Sequence, residues 1–127
     1  MKAREGKEPL SFEGYREVCK YMMALKPEHH KHTWNESIFS NLYLRLQFHT
    51  IGRTDNIQSL MLSHFNWDMD AFTIMFCATK SDKEGARTNE DKHIYCNPYE
   101  PELCPLLSLA IYTWYLNFKF YLKLIKE

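Results

Sequence analysis

The spacing of apolar residues changes twice along this chain, and that change limits the folds open to it. Up to His64 they recur three and four positions apart, from Ala71 to Ala78 they alternate, and from Leu103 to Trp114 the wider spacing returns. A period near 3.6 puts apolar side chains on one stripe of a helix, whereas a period of 2 puts them on one face of a strand. The chain therefore predicts an α+β fold: mostly helical, with three helices, then a β-hairpin, then a C-terminal helix.

Residues 1–9 are polar and charged and read as a flexible lead-in, leaving 10–127 as one domain. Ser11 is placed to cap the first helix, along which Phe12, Tyr15, Val18, Cys19, Met22 and Leu25 form a stripe. Pro27 is its stop signal, and 28–33 is a polar loop. Asn35 is placed to cap the second helix, with Ile38, Phe39, Leu42, Leu46 and Thr50 on one face and Gly52 as its break. The third helix is expected from Thr54 or Asp55, with Ile57, Leu60, Met61 and His64 in line. In the following strand Phe72, Ile74, Phe76 and Ala78 alternate with Ala71, Thr73, Met75 and Cys77. The run Ser81-Asp82-Lys83-Glu84-Gly85 is turn chemistry, and Lys92 to Asn97 makes the return strand. After Asn97-Pro98 and Glu100-Pro101 the last helix is expected from Glu102, with Leu103, Leu106, Leu107, Ala110, Ile111 and Trp114 facing inward.

Composition removes several function classes. The 127 residues carry 16 basic and 16 acidic side chains, a formal net charge of +0. Whole-chain electrostatics thus gives no help toward nucleic acid, and any such contact must come from a local patch. The four cysteines include no Cys-x-x-Cys pair and read as reduced thiols. His29-His30-Lys31-His32 lacks the separated ligand pairs of a tetrahedral metal site, so no metal is expected. Leu106 to Ile125 is apolar, yet Asn117, Lys119 and Lys123 interrupt it. Each central lysine would cost about 2.5–3.5 kcal/mol in a bilayer, so a buried or self-associating helix is expected instead of a membrane span. Trp34, Trp67 and Trp114 read as core or interface anchors.

The segment with chemistry in it begins at Gly52-Arg53-Thr54-Asp55-Asn56-Ile57. Arg53 stands at a helix start beside a glycine, where a guanidinium fork and free backbone N–H groups can face one anion. Lys80 stands where a strand gives way to a hairpin tip. An arginine and a lysine converging on one phosphate would stabilise negative charge in phosphoryl transfer.

These residues resemble a known family. Arg53 opening a helix, Leu60 farther along it, Trp67-Asp68 before a strand and Thr79-Lys80 at its end are similar to the catalytic domain of the tyrosine recombinases. Leu10-Ser11-Phe12-Glu13-Gly14-Tyr15, Arg53-Thr54-Asp55-Asn56-Ile57 and His93-Ile94-Tyr95-Cys96-Asn97-Pro98 resemble the Crypton-type recombinases of eukaryotic mobile elements. The likeness runs over about 9–116 and covers the front half of such a domain.

What the resemblance implies is a nuclear enzyme (cytoplasmic as the alternative) that breaks and rejoins DNA without metal, nucleotide or other cofactor. Arg53 would be its first phosphate clamp and Lys80 its general acid. Lys83, Arg87 and Lys92 would join them in contacting DNA. Asn56 stands where the family often has an acidic residue. The family's His-x-x-Arg element and nucleophilic tyrosine should follow, and no His-x-x-Arg occurs after Lys80. The chain is accordingly expected to be catalytically incomplete: a DNA-binding fragment or remnant of a site-specific recombinase. Plainer readings stay open beside this one. Arg53 could serve only a salt bridge with Asp55 or Asp68. The hairpin tip, with Asp82, Glu84, Glu90 and Asp91 among its cations, could be a solvated loop. The whole could be a domesticated protein-interaction module, meeting a partner or a second copy through its aromatic C-terminal helix.

Overall fold

Ser11 does start the first helix: its Oγ accepts the Gly14 N–H at 3.1 Å, and its carbonyl accepts the Tyr15 N–H at 2.9 Å. The computed structural model describes residues 10–24, 34–69, 71–76 and 91–126, without the side chains of 118, 120–122 and 124–126. Helix α1 spans Phe12–Ala24 and buries Tyr15 and Cys19, while Phe12 and Val18 stay exposed. Leu25 and Pro27 lie outside the described residues.

Helix α2, Trp34–Thr50, begins one residue before the expected Asn35 cap. It is buried on more than the one expected face. Leu42 and Leu46 join a core with Ile57, Ile74, Phe76 and Ile94, against which Leu106, Leu109 and Tyr112 pack. Leu44 packs instead against a second cluster of Tyr15, Cys19 and Leu103. Phe39, expected inside, is exposed. Arg45, by contrast, is 0% exposed.

The end of α2 corrects the expected role of Gly52. The Ile51 N–H bonds to the Phe48 carbonyl at 3.3 Å and the Gly52 N–H to the Gln47 carbonyl at 3.1 Å, the paired bonds of a Schellman cap. The left-handed residue of that cap is Ile51, at φ 50. Gly52 is needed for a different reason. A Cβ there would lie 2.7 Å from both Ile57 Cδ1 and Thr50 Oγ1, so glycine lets the chain turn tightly into α3.

Helix α3, Thr54–Gln58, is shorter than the expected stripe to His64. The Ser59 hydroxyl bonds back to the Asn56 carbonyl at 3.0 Å, local competition of the kind that ends helices. Met61 is extended, and a 3-10 turn covers Leu62–His64. The chain then enters a strand that alternation alone does not reveal, because only four residues form it: β1, Phe65–Asp68.

Strands β1, β2 (Ala71–Ile74) and β3 (Lys92–Ile94) form an antiparallel sheet in chain order. The register pairs Phe65 with Ile74, Asp68 with Ala71, and Phe72 with Ile94. The expected pairing of the second and third strands is thus present, with β2 central instead of at an edge. Ala71, Thr73 and Ile74 are all buried, so residues on both faces of β2 are covered. Strand β3 stops at Ile94 instead of Asn97. The Asn97 Oδ1 accepts the N–H groups of Tyr99 at 3.2 Å and Glu100 at 3.1 Å, which fixes a turn there.

The last helix, α4, runs Pro105–Lys126, and a separate 3-10 turn, Pro101–Leu103, precedes it. Cys104 between them is extended (φ −72, ψ 115), as a residue before proline prefers, and this moves the helix start from Glu102 to Pro105. The inner face shifts with it. Ser108 is buried and Leu109 and Tyr112 reach the core, whereas Leu107 and Trp114 are exposed. No helix among the described residues is long and apolar enough to cross a membrane.

The α2 cap predicts a stabilising change. Ile51→Gly should raise stability by about 1 kcal/mol, since a β-branched residue in the left-handed region carries a penalty that glycine avoids. Gly52→Ala should lower it. Urea denaturation midpoints check both signs.

Candidate functional site

Of the five basic residues expected to meet DNA, the described residues include Arg53 and Lys92; Lys80, Lys83 and Arg87 lie outside them, as does His29–His32. Arg53 is exposed and extended (φ −71, ψ 153) directly before α3, and its carbonyl accepts the N–H groups of Asn56 and Ile57. It makes no ion pair among the described residues, so the alternative of a salt bridge with Asp55 or Asp68 is not realised. Lys92 is exposed on β3, in register with Ile74. The three tryptophans are not core anchors: Trp34, Trp67 and Trp114 are 55%, 65% and 66% exposed.

The wholly buried guanidinium of Arg45 is a group the sequence did not single out. Arg45 Nε donates to the Glu102 carbonyl at 2.7 Å, and Nη1 donates to the Asn41 carbonyl at 2.8 Å and to Asn41 Oδ1 at 2.6 Å. Asn41 Nδ2 in turn donates to the carbonyls of Ser37 at 2.9 Å and Met22 at 3.4 Å. A polar thread therefore runs from the end of α1 through α2 to the turn before α4. His49 Nε2 reaches the Leu103 carbonyl at 3.0 Å beside it. Arg16 pairs with Glu100 and closes the same junction from α1. Burial lowers the Arg45 pKa, and Tyr15, Cys19, Cys104 and Glu102 act against that shift. Tyr15, stacked on Phe48 at 3.7 Å, has its own pKa raised by burial and by the Cys19 thiol. Its hydroxyl is buried without a hydrogen-bond partner among the described residues.

Two further features border this junction. An apolar groove of about 490 Å³ lies between α1, α2 and α4, with Met22, Trp34, Ile38, Ile111 and Trp114 in its walls. On the other flank, Cys96 Sγ and Cys104 Sγ are 3.7 Å apart, the first exposed and the second buried. The Cys104 sulfur accepts N–H groups from Asn97 and Leu107, each at 3.4 Å. Among the described residues no group of three or more His, Cys, Asp or Glu could hold a metal ion.

A signal for Arg45 was present. In Leu42-Tyr43-Leu44-Arg45-Leu46 apolar residues surround the helix on all sides, so a charge in that run has no wet face to occupy. The cysteine pair left no such signal, because a turn of chain separates the two positions. The chain matches no family model, no curated protein and no solved structure.

Tyr15→Phe should keep the ring stacking and remove the buried hydroxyl. With its folded pKa raised above the ordinary 10.0, Tyr15 contributes stability that is present below pH 10 and lost above it. The variant should therefore be somewhat more stable than wild type near pH 7, having shed an unpaired buried hydroxyl, and should lose less stability as pH rises past 10. Denaturation at stepped pH measures the difference.

Proposed function

We propose that this chain is a DNA-binding module of the tyrosine-recombinase kind, one that grips phosphate and does not cut the strand by itself. The observation that supports it most is the state of Arg53: exposed, without an ion pair among the described residues, and held at a rigid corner by the α2 cap and Gly52. A guanidinium so placed offers two parallel N–H donors to a phosphate without first breaking a salt bridge. Lys80, with Lys83, Arg87 and Lys92, supplies the further cations, and the module acts in the nucleus. The order of helices and hairpin agrees with this reading. Cleavage would call for a further arginine beside Arg53 and Lys80 to neutralise a phosphorane-like transition state, a contribution of several kcal/mol.

A second reading is a protein-interaction module without DNA activity. It is favoured by the groove between α1, α2 and α4, where Trp34 and Trp114 are largely exposed. A gel shift on duplex DNA at stepped salt separates the two. Phosphate gripping predicts a salt-sensitive complex whose log–log slope falls by about 1 in Arg53→Ala and again in Lys80→Ala. Absence of any shift, with an assembly or partner complex lost in Trp114→Glu, would establish the second reading instead.

A further inference from the structure

The geometry points to Cys96 and Cys104 as a thiol–disulfide exchange site, whose substrate is a small-molecule disulfide of the glutathione type. Two sulfurs 3.7 Å apart need only a short approach to bond. Both are held by ordered chain: Cys96 follows Ile94 of β3, which is 1% exposed, and Cys104 directly precedes Pro105 of α4. The turn between them is fixed by Asn97, which accepts two N–H groups through its side chain and donates its own N–H to the Cys104 sulfur.

The two thiols differ in access, and the contact with Cys104 raises the Cys96 pKa, so the first attack draws on the minor thiolate form of Cys96. Cys96 is exposed and open to a disulfide from solution, whereas Cys104 is 2% exposed, with its sulfur 3.7 Å from that of Cys96. The Cys104 sulfur receives the Asn97 and Leu107 N–H groups at the positive end of a 22-residue helix, an arrangement that favours thiolate. Its pKa is lowered by those backbone donors and by the Cys96 contact, which together outweigh the opposing effect of burial.

The steps balance. The Cys96 thiolate attacks one sulfur of the small disulfide, forming a mixed disulfide and releasing one small thiolate, which takes up the Cys96 proton. The Cys104 thiolate then attacks Cys96 Sγ, forming the Cys96–Cys104 bond and releasing the second small thiolate, which takes up the proton that Cys104 gave up. Two electrons pass from the protein to the small disulfide, and two small thiols leave. The new bond joins the end of β3 to the start of α4 across the turn whose carbonyls hold Arg45 and His49.

The test is incubation of the full chain with oxidised glutathione, followed by alkylation and peptide mass mapping. The expected product links Cys96 to Cys104, leaves Cys19 and Cys77 alkylated, returns to four alkylated cysteines with excess reduced glutathione, and melts roughly 5 °C higher. Cys104→Ser should halt the exchange and accumulate glutathione on Cys96. Cys96→Ser, a change at an exposed position, should abolish both products. A stable glutathione adduct on Cys96 of the unaltered chain would overturn the proposal, as would an intermolecular Cys96–Cys96 link or pairing through Cys19 or Cys77.

Discussion

A guanidinium taken wholly out of water costs several kcal/mol unless its charge and donors are answered where it lies. Arg45 is in that position, and its answer is three hydrogen bonds to oxygen atoms from α2 itself and from the turn before α4. No carboxylate in the described residues bonds to it. Its charge is met by carbonyl and amide dipoles, with Tyr15, Cys19, Cys104 and Glu102 nearby. Nη2 finds no acceptor there, so the guanidinium is only partly satisfied. Such a group tolerates little movement of the oxygens around it, and those oxygens belong to segments far apart in sequence.

That requirement organises the rest. Asn41, one helical turn before Arg45, passes the thread to the end of α1 through Met22. The turn Pro101–Leu103 is held from both sides, by Arg45 and His49 on α2 and, through neighbouring Glu100, by Arg16 on α1. With that turn placed, Cys104 and Pro105 set where α4 starts and which face it presents to the core of Leu42, Leu46, Ile57, Ile74, Phe76 and Ile94. The same placement brings Cys104 against Cys96 and leaves a groove between α1, α2 and α4. Arg53 stands apart from this network, on the corner fixed by Ile51 and Gly52.

The change of apolar period was enough to find the helices and the central strand, because long amphipathic runs carry that signal in many residues. It failed where few residues or two-sided burial decide. Strand β1 has four residues, too few for alternation to stand out, and β2 is buried on both faces. Helix α4 starts late because of one proline, and its inner face moves with the start. In α2 a single apolar stripe was expected, yet the helix is covered on two sides, and the one charged residue in that run became its tie to α1 and α4. Of the candidate site, Arg53 was singled out from the glycine break, and it lies exposed directly before α3. The pairing of Cys96 with Cys104 depends on where Asn97 turns the chain, which no spacing rule records.

If the Arg45 thread holds α1, α2 and the turn before α4 together, removing its donors while keeping its apolar stem should release all three. The direct measurement is the equilibrium stability of Arg45→Met by urea denaturation. The expected result is a loss of about 3 kcal/mol, from orphaned acceptors at Glu102 and Asn41 that outweigh the relieved burial of charge. A variant as stable as wild type, or more stable, would contradict the central role given to this arginine.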